Sequence, residues 1–286
     1  MKKLVLSLFV FLLSSSLFAG QVSLMAENDI TAGTDHYFTH GTRLQYTDND
    51  YWGIALGQNM YTPDDKDAKE LLPDDRPYAG YLYGSGFYTY YLDSGDEFFT
   101  ELQLGMIGPD SYAEQTQIWV HKHTGSLLPL GWDNQIPNHF AALLINRYTT
   151  HIYENKYFAI DPYAGTYVGN LFDSVAAGIN VYIGYDLPKD RNNHRVIPFK
   201  AMVNDGWQPY GYLYVGIEPR YVFYNMLLED KRFTISPNEF VYDRNAGLVF
   251  GCKYFELAFT FCYRSDEFDE QPKPEKFGSA KISVNF

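Results

Sequence analysis

Two polar clusters in the first half of the chain have residue types that could do chemistry. The first runs Glu27-Asn28-Asp29 and continues through Thr34-Asp35-His36-Tyr37-Phe38 to Thr39-His40-Gly41. Asn28, Asp29 and Thr39 offer an amide, a carboxylate and a hydroxyl, an oxygen-rich set that suits a hard cation such as Ca2+. The same residues would equally serve as Asx turns in a hairpin loop. The second cluster spans Gly108 to Gly125. Ser111 and Glu114 have the spacing of a capping box and Gly125 is a suitable stop, so a helix is predicted over about 112–124. Its spacing of three and four brings Glu114, Gln117 and His121 to one face. A neutral His held by polar neighbours can act as a general base; the plainer reading is a surface helix with an incidental His. His121 and His123 diverge on a helix and do not make a zinc pair. Arg76, in Asp74-Asp75-Arg76-Pro77-Tyr78-Ala79-Gly80, could grip a phosphate bidentately or pair with Asp74 or Asp75. There is no Gly-x-Ser-x-Gly elbow, P-loop or His-Glu-x-x-His, so those mechanisms lack their usual sign.

Strands must position these groups. Phe255, Leu257, Phe259, Phe261 and Tyr263 alternate with Glu256, Ala258, Thr260, Cys262 and Arg264; Leu213, Val215, Ile217, Tyr221 and Phe223 alternate with Tyr212, Tyr214, Gly216, Glu218 and Arg220. Period two puts each set on one face of a strand. A soluble sandwich would give the same alternation. An outer-membrane barrel is favoured by stretches long enough to cross a bilayer at a tilt, by Tyr and Phe gathered near strand ends, and by an amphipathic C-terminal strand closing on Phe286. The aromatic content of 18% fits such girdles. About twelve stretches are predicted: 20–28, 38–48, 50–60, 78–92, 95–108, 139–153, 155–169, 173–185, 208–226, 239–253, 255–265 and 276–286. The expected fold is therefore all-β, a transmembrane antiparallel β-barrel of about twelve strands with a short helix in an extracellular loop.

Lys2 and Lys3, the apolar run from Leu4 to Leu13 and the close at Ala19 read as a signal peptide over 1–19, leaving one barrel domain over 20–286. A net charge of −13 excludes non-specific nucleic-acid binding as the main task. Cys252 and Cys262 fall on opposite faces of neighbouring strands, which argues against a disulfide. With both termini in the periplasm, the short junctions at 48–50, 93–95, 154–155 and 254–255 are periplasmic, and the longer loops 29–37, 61–77, 109–138 and 227–238 are extracellular. Segments 170–172 and 186–207 break that pattern.

Four pieces of this sequence resemble the outer-membrane lipid A 3′-O-deacylase family: Glu27-Asn28-Asp29, Tyr37-Phe38-Thr39-His40-Gly41, Asp75-Arg76-Pro77-Tyr78-Ala79-Gly80, and Gly108-Pro109-Asp110 running to Gln117 and His121. Trp132-Asp133-Asn134-Gln135-Ile136 continues the likeness. The resemblance implies a twelve-stranded barrel, integral to the bacterial outer membrane with its site toward the exterior. It implies Ca2+-dependent removal of the 3′-linked acyloxyacyl group from lipid A in lipopolysaccharide. His121 then corresponds to the base, Asn28 and Asp29 to the polar and metal side, Thr39 to a supporting hydroxyl, Gln117 to a further catalytic group and Arg76 to a phosphate contact. The expected partners are the lipid A substrate and outer-membrane lipid, with the protein acting as a monomer. The rival readings are an outer-membrane phospholipase and a non-enzymatic porin or adhesin.

Overall fold

The computed structural model describes residues 20–29, 36–49, 51–189, 191 and 209–286. The signal peptide over 1–19, Thr34 and Asp35, and most of 186–207 lie outside the described residues. Twelve antiparallel strands close into a barrel: β1 Gly20–Asn28, β2 Tyr37–Asp48, β3 Trp52–Thr62, β4 Ala79–Tyr91, β5 Glu97–Ile107, β6 His139–Thr149, β7 Phe158–Gly169, β8 Phe172–Tyr185, β9 Tyr210–Asn225, β10 Phe240–Gly251, β11 Phe255–Arg264 and β12 Glu275–Asn285. Neighbours in sequence pair in order. β1 meets β12 with Gln21 opposite Asn285, and Gly20 and Phe286 exchange two backbone hydrogen bonds of 2.9 Å. No barrel strand is left with an open edge, which a lipid environment demands. No helix among the described residues is long and apolar enough to cross a membrane.

The alternation read from sequence sets the two faces. Leu213, Val215, Tyr221, Phe223, Phe259 and Phe261 point outward and are exposed, whereas Tyr212, Tyr214, Glu218, Glu256 and Cys262 are buried inside. Leu257 shares the outward face with Phe259. Both cysteines are free. The interior is filled by aromatic rings and ion pairs. Arg43 meets Glu101 at 2.7 Å, Arg147 meets Glu218 at 2.7 Å, and Lys281 meets Glu256 at 2.8 Å. Asp243 is shared by Arg220 at 3.0 Å and Arg264 at 2.9 Å. Such charges are tolerated away from water only because each is paired and hydrogen-bonded.

One junction departs from the expectation. Strands were expected to run to 153 and to resume at 155, but β6 ends at Thr149 and β7 starts at Phe158, with Tyr153–Glu154 forming a two-residue ladder on Ile160 and Ala159. The chain leaves the β6 ladder so that His151 can turn against two buried carboxylates, Asp161 at 2.8 Å and Glu97 at 3.4 Å. The turn itself is closed by Asn155, whose Oδ1 accepts the backbone N–H groups of Tyr157 and Phe158.

Candidate active site on the outer wall

The long connection between β5 and β6 carries helix α1, Ala113–Thr124. It begins one residue later than predicted, and the capping box is not formed. Ser111 belongs to a preceding 3-10 turn, Pro109–Ser111, where its hydroxyl donates to the Gly108 carbonyl at 2.6 Å. Tyr112 takes the N-cap position in the left-handed region at φ 55°. The tight turn exists because Gly108, at φ 92°, lets the chain leave β5 sharply, and a side chain there would strike the Ile136 and Pro137 backbone. Gly125 ends the helix as predicted, at φ 78°, with its N–H on the His121 carbonyl at 2.9 Å.

α1 lies against the outer wall of the barrel rather than over its mouth. On β3 and β4 the outward positions near the rim are Gln58, Met60 and Gly80. Gln58 Nε2 donates to the Ser111 carbonyl at 2.6 Å, and Met60, Tyr78, Ala113 and Trp132 form one buried apolar cluster. Gly80 makes the approach possible: a Cβ there would sit 2.1 Å from Ser111 Oγ and 2.3 Å from Ala113 Cβ. Ala113 and Gln117, four apart, are the buried stripe of the helix.

His121 is one further turn along that stripe and is partly exposed. Its Nδ1 is hydrogen-bonded to the Leu127 carbonyl. A carbonyl can only accept, so Nδ1 carries the proton and the neutral ring keeps its lone pair on Nε2. Gln117 is buried and accepts a 2.7 Å hydrogen bond from Trp132 Nε1, while its own Nε2 has no partner among the described residues. Glu114 is half-buried on the same face. His123 turns elsewhere, with Nδ1 on the Trp119 carbonyl at 2.8 Å and its ring 4.4 Å from the Trp119 ring.

The other group of residues converges two strands away. Asn28 ends β1 and donates from Nδ2 to the Thr39 carbonyl at 3.0 Å. A bulge between Phe38 and His40 inserts Thr39 as an extra residue in β2. This sends Phe38 inward onto Tyr61 and Phe277 while Thr39 Oγ1 meets Thr62 Oγ1 at 2.6 Å. Asp29 follows Asn28 and is fully buried at the rim. The structure thus joins Asn28 and Thr39 directly. β3 links them to the helix, with Thr62 on Thr39 at one end and Gln58 on Ser111 at the other.

Arg76 finds a partner that neither reading of the sequence named. It is buried at the barrel mouth, where its Nη1 donates to Glu267 at 2.5 Å and its guanidinium lies 4.6 Å from the Tyr61 ring centre. Burial works against the charge of Glu267, yet Arg76 and then Arg264 hold its carboxyl below the ordinary value. The expected ion pair with Asp74 or Asp75 does not form; Asp75 instead caps backbone N–H groups of Asp64 and Arg76. Glu267 lies 191 residues from Arg76, and nothing local announces the pair. Trp132 and Gly80 stand within the motifs, and their roles lie in contacts the sequence does not show: Trp132 bonds Gln117, and Gly80 admits Ser111 and Ala113.

A hard-cation site can be judged by its donors. Among the described residues no three His, Cys, Asp or Glu side chains gather as a metal cage. Near the rim Asn28 brings an amide, Asp29 a buried carboxylate and Thr39 a hydroxyl, all oxygen donors, while the His40 imidazole opposite Asn28 is turned onto Thr42 Oγ1. That chemistry fits Ca2+, which accepts neutral oxygens and water beside a single carboxylate.

The closed barrel and its outward apolar belt define an integral outer-membrane protein. The chain belongs to the family described as Outer membrane protein LpxR, which matches residues 4–286. The solved structure of LpxR from Salmonella typhimurium superposes with a TM-score of 0.80 at 20% sequence identity, covering 93% of this chain and 100% of that one. The β domain of the Bordetella autotransporter BrkA covers 94% of this chain and 100% of its own, with a TM-score of 0.48 and 11% identity, and the KdgM porin covers 93% and 99%, with 0.41 and 9%. No curated protein matches the sequence. Family and fold together support a lipid A-modifying protein of the outer membrane.

Proposed function

We propose that this protein is a lipid A 3′-O-deacylase, hydrolysing the ester that links the acyloxyacyl group to the 3′ oxygen of lipid A in the outer leaflet. The observation that carries this reading is the docking of α1 on the outer wall, with His121 held through Nδ1 so that Nε2 is available beside the lipid. In the proposed step, Nε2 takes a proton from water as its oxygen attacks the ester carbonyl carbon. The bond from that carbon to the sugar oxygen then breaks, and the proton passes to the leaving oxygen. The products are a free 3′ hydroxyl and an acyloxy fatty acid. Asn28 and Thr39 orient water or the developing oxyanion. Gln117 holds the helix face that carries His121. Asp29, with Asn28 and Thr39, would hold Ca2+, which when bound polarises the ester carbonyl as a Lewis acid. Arg76, held by Glu267 through Nη1, keeps Nε and Nη2 without a partner among the described residues, and these would make the phosphate contact. The reaction needs only one copy of the chain.

The buried ion pairs that fill the barrel interior weigh against a porin. The test is mass spectrometry of lipid A incubated with the purified protein in detergent micelles, with Ca2+ or with excess chelator. Loss of the 3′ acyloxyacyl group with Ca2+ alone is expected. Fatty acid released from phospholipid instead would favour a phospholipase, and an unchanged lipid A would remove the proposal. Asp29→Ala should raise the Ca2+ concentration needed for activity, and full activity in chelator would take the metal out of the mechanism.

A further inference from the structure

Beyond the helix stop the chain makes a short apolar prong, Leu127-Leu128-Pro129-Leu130. Leu127 is 80% exposed, the most exposed large hydrophobic side chain among the described residues, and Leu128 and Leu130 are also exposed. The prong is anchored on both sides. The N–H groups of Gly125 and Ser126 bond to the His121 carbonyl at 2.9 and 3.1 Å, and the Leu130 N–H bonds to the Lys66 carbonyl at 3.0 Å. Leu127 sits between these anchors, and its carbonyl is the group bonded to His121 Nδ1. The residue that fixes the His121 tautomer therefore also displays a fully apolar side chain.

The surroundings say what covers that side chain. α1 is packed on outward positions of β3 and β4, so the face turned away from the wall lies on the lipid side of the barrel. Below it the outward belt continues with exposed Leu56 and Leu104, and beside it with Phe140 at the head of β6. Tyr112 and Trp119, seven residues apart and both exposed, lie along the outer face of α1. That face carries the aromatic types that collect at the headgroup level, and an apolar prong beside them lies within reach of the acyl chains.

We propose that Leu127 is a positioning residue operated by the membrane: its side chain enters the acyl region of the outer leaflet, and that contact holds its carbonyl on His121, so lipid engagement sets the base. The inference rests on His121 being the base, as proposed above. It makes the enzyme faster on lipid A in a bilayer than on the same ester chemistry free in water, because an apolar phase seats the prong and water does not.

Two measurements test it separately. A nitroxide at Leu127→Cys, in a chain with Cys252→Ala and Cys262→Ala, is read in phospholipid–lipid A vesicles. Collision with dissolved oxygen should exceed collision with a water-soluble nickel chelate; the opposite ranking would put the prong in water and overturn the proposal. Independently, 3′-acyl release is compared between lipid A vesicles and a water-soluble short-chain ester. Leu127→Ser should lower kcat on vesicles by about tenfold or more, since it removes the apolar insertion while keeping the backbone carbonyl. Leu127→Met should restore it, and the ratio of vesicle to soluble-ester turnover should fall in Leu127→Ser and recover in Leu127→Met. Equal losses on both substrates would make Leu127 merely structural, and no loss on either would also defeat the idea. A wild-type protein inactive on every ester would remove the deacylase reading and the positioning role with it, while the nitroxide still decides the lipid contact.

Discussion

Trp132 donates its indole N–H to the amide oxygen of Gln117 at 2.7 Å, tying the far end of the β5–β6 connection to the buried face of α1. The same indole packs against Tyr78, with ring centres 4.9 Å apart, so the bond couples helix, loop and the start of β4. Trp132→Phe keeps most of the packing and leaves the Gln117 oxygen buried without its donor, a cost of about 1–3 kcal/mol. Because that cost falls on the loop rather than the barrel, acyl release should drop while the barrel's melting temperature in detergent holds. A melting temperature that falls in step with activity would show the bond serves the whole fold.

Gly80 is the point at which the helix touches the wall. Gly80→Val would push Ser111 and Ala113 outward and carry His121 with them, since a Cβ already overlaps both. Activity should fall strongly with strand content by circular dichroism unchanged. Gly86, also outward on β4 but with nothing near it, is the control: Gly86→Val should keep full activity.

His121→Ala should slow acyl release by about 10²–10⁴, the usual contribution of a positioned proton acceptor. His123→Ala should be nearly silent, because His123 bonds to the Trp119 carbonyl and packs against its ring, away from the buried stripe. Comparable rates for wild type and His121→Ala would sink the assignment of the base.

Phe259 lies mid-strand on the outward face of β11, opposite Leu248 and Ala280. Phe259→Arg should cost about 2–4 kcal/mol in lipid if it meets the bilayer near its midplane. Urea titration of the refolded barrel in vesicles measures this, and an undiminished stability would argue that the face does not meet hydrocarbon.

At the end of the barrel away from α1, hydrogen bonds to Asp161 and then Glu97 raise His151 to about 9 despite partial burial. A folded-state value above the unfolded one stabilises the fold fully below pH about 6.5, and the contribution is lost as pH rises through about 9. Thermal stability in detergent should therefore decline between pH 7 and 9.5, and His151→Gln should flatten that decline. An identical pH profile in the variant would deny His151 the role.

All twelve barrel strands could be read from the chain, because a barrel wall with lipid on one side and a packed interior on the other imposes period two on every strand. Phe255 to Tyr263 carries that period without a break, and Leu213 to Phe223 carries it apart from Pro219. The helix and its stop were equally legible, since Gly125 and the spacing of Gln117 and His121 are local. The candidate residues Asn28, Asp29, Thr39 and His121 stood out by type and motif. What the sequence could not contain was how the fold places them. Thr39 reaches the outer face only because a bulge turns it there, and bulges depend on the partner strand. α1 rests on the wall rather than over the mouth because Gly80 is bare where Ala113 arrives, a match between two separate segments. Arg76 found Glu267, 191 residues away, in place of its acidic neighbours. Alternation and capping are properties of consecutive residues and survive in one dimension; these contacts are made when the barrel closes, and closure is an event of the whole chain.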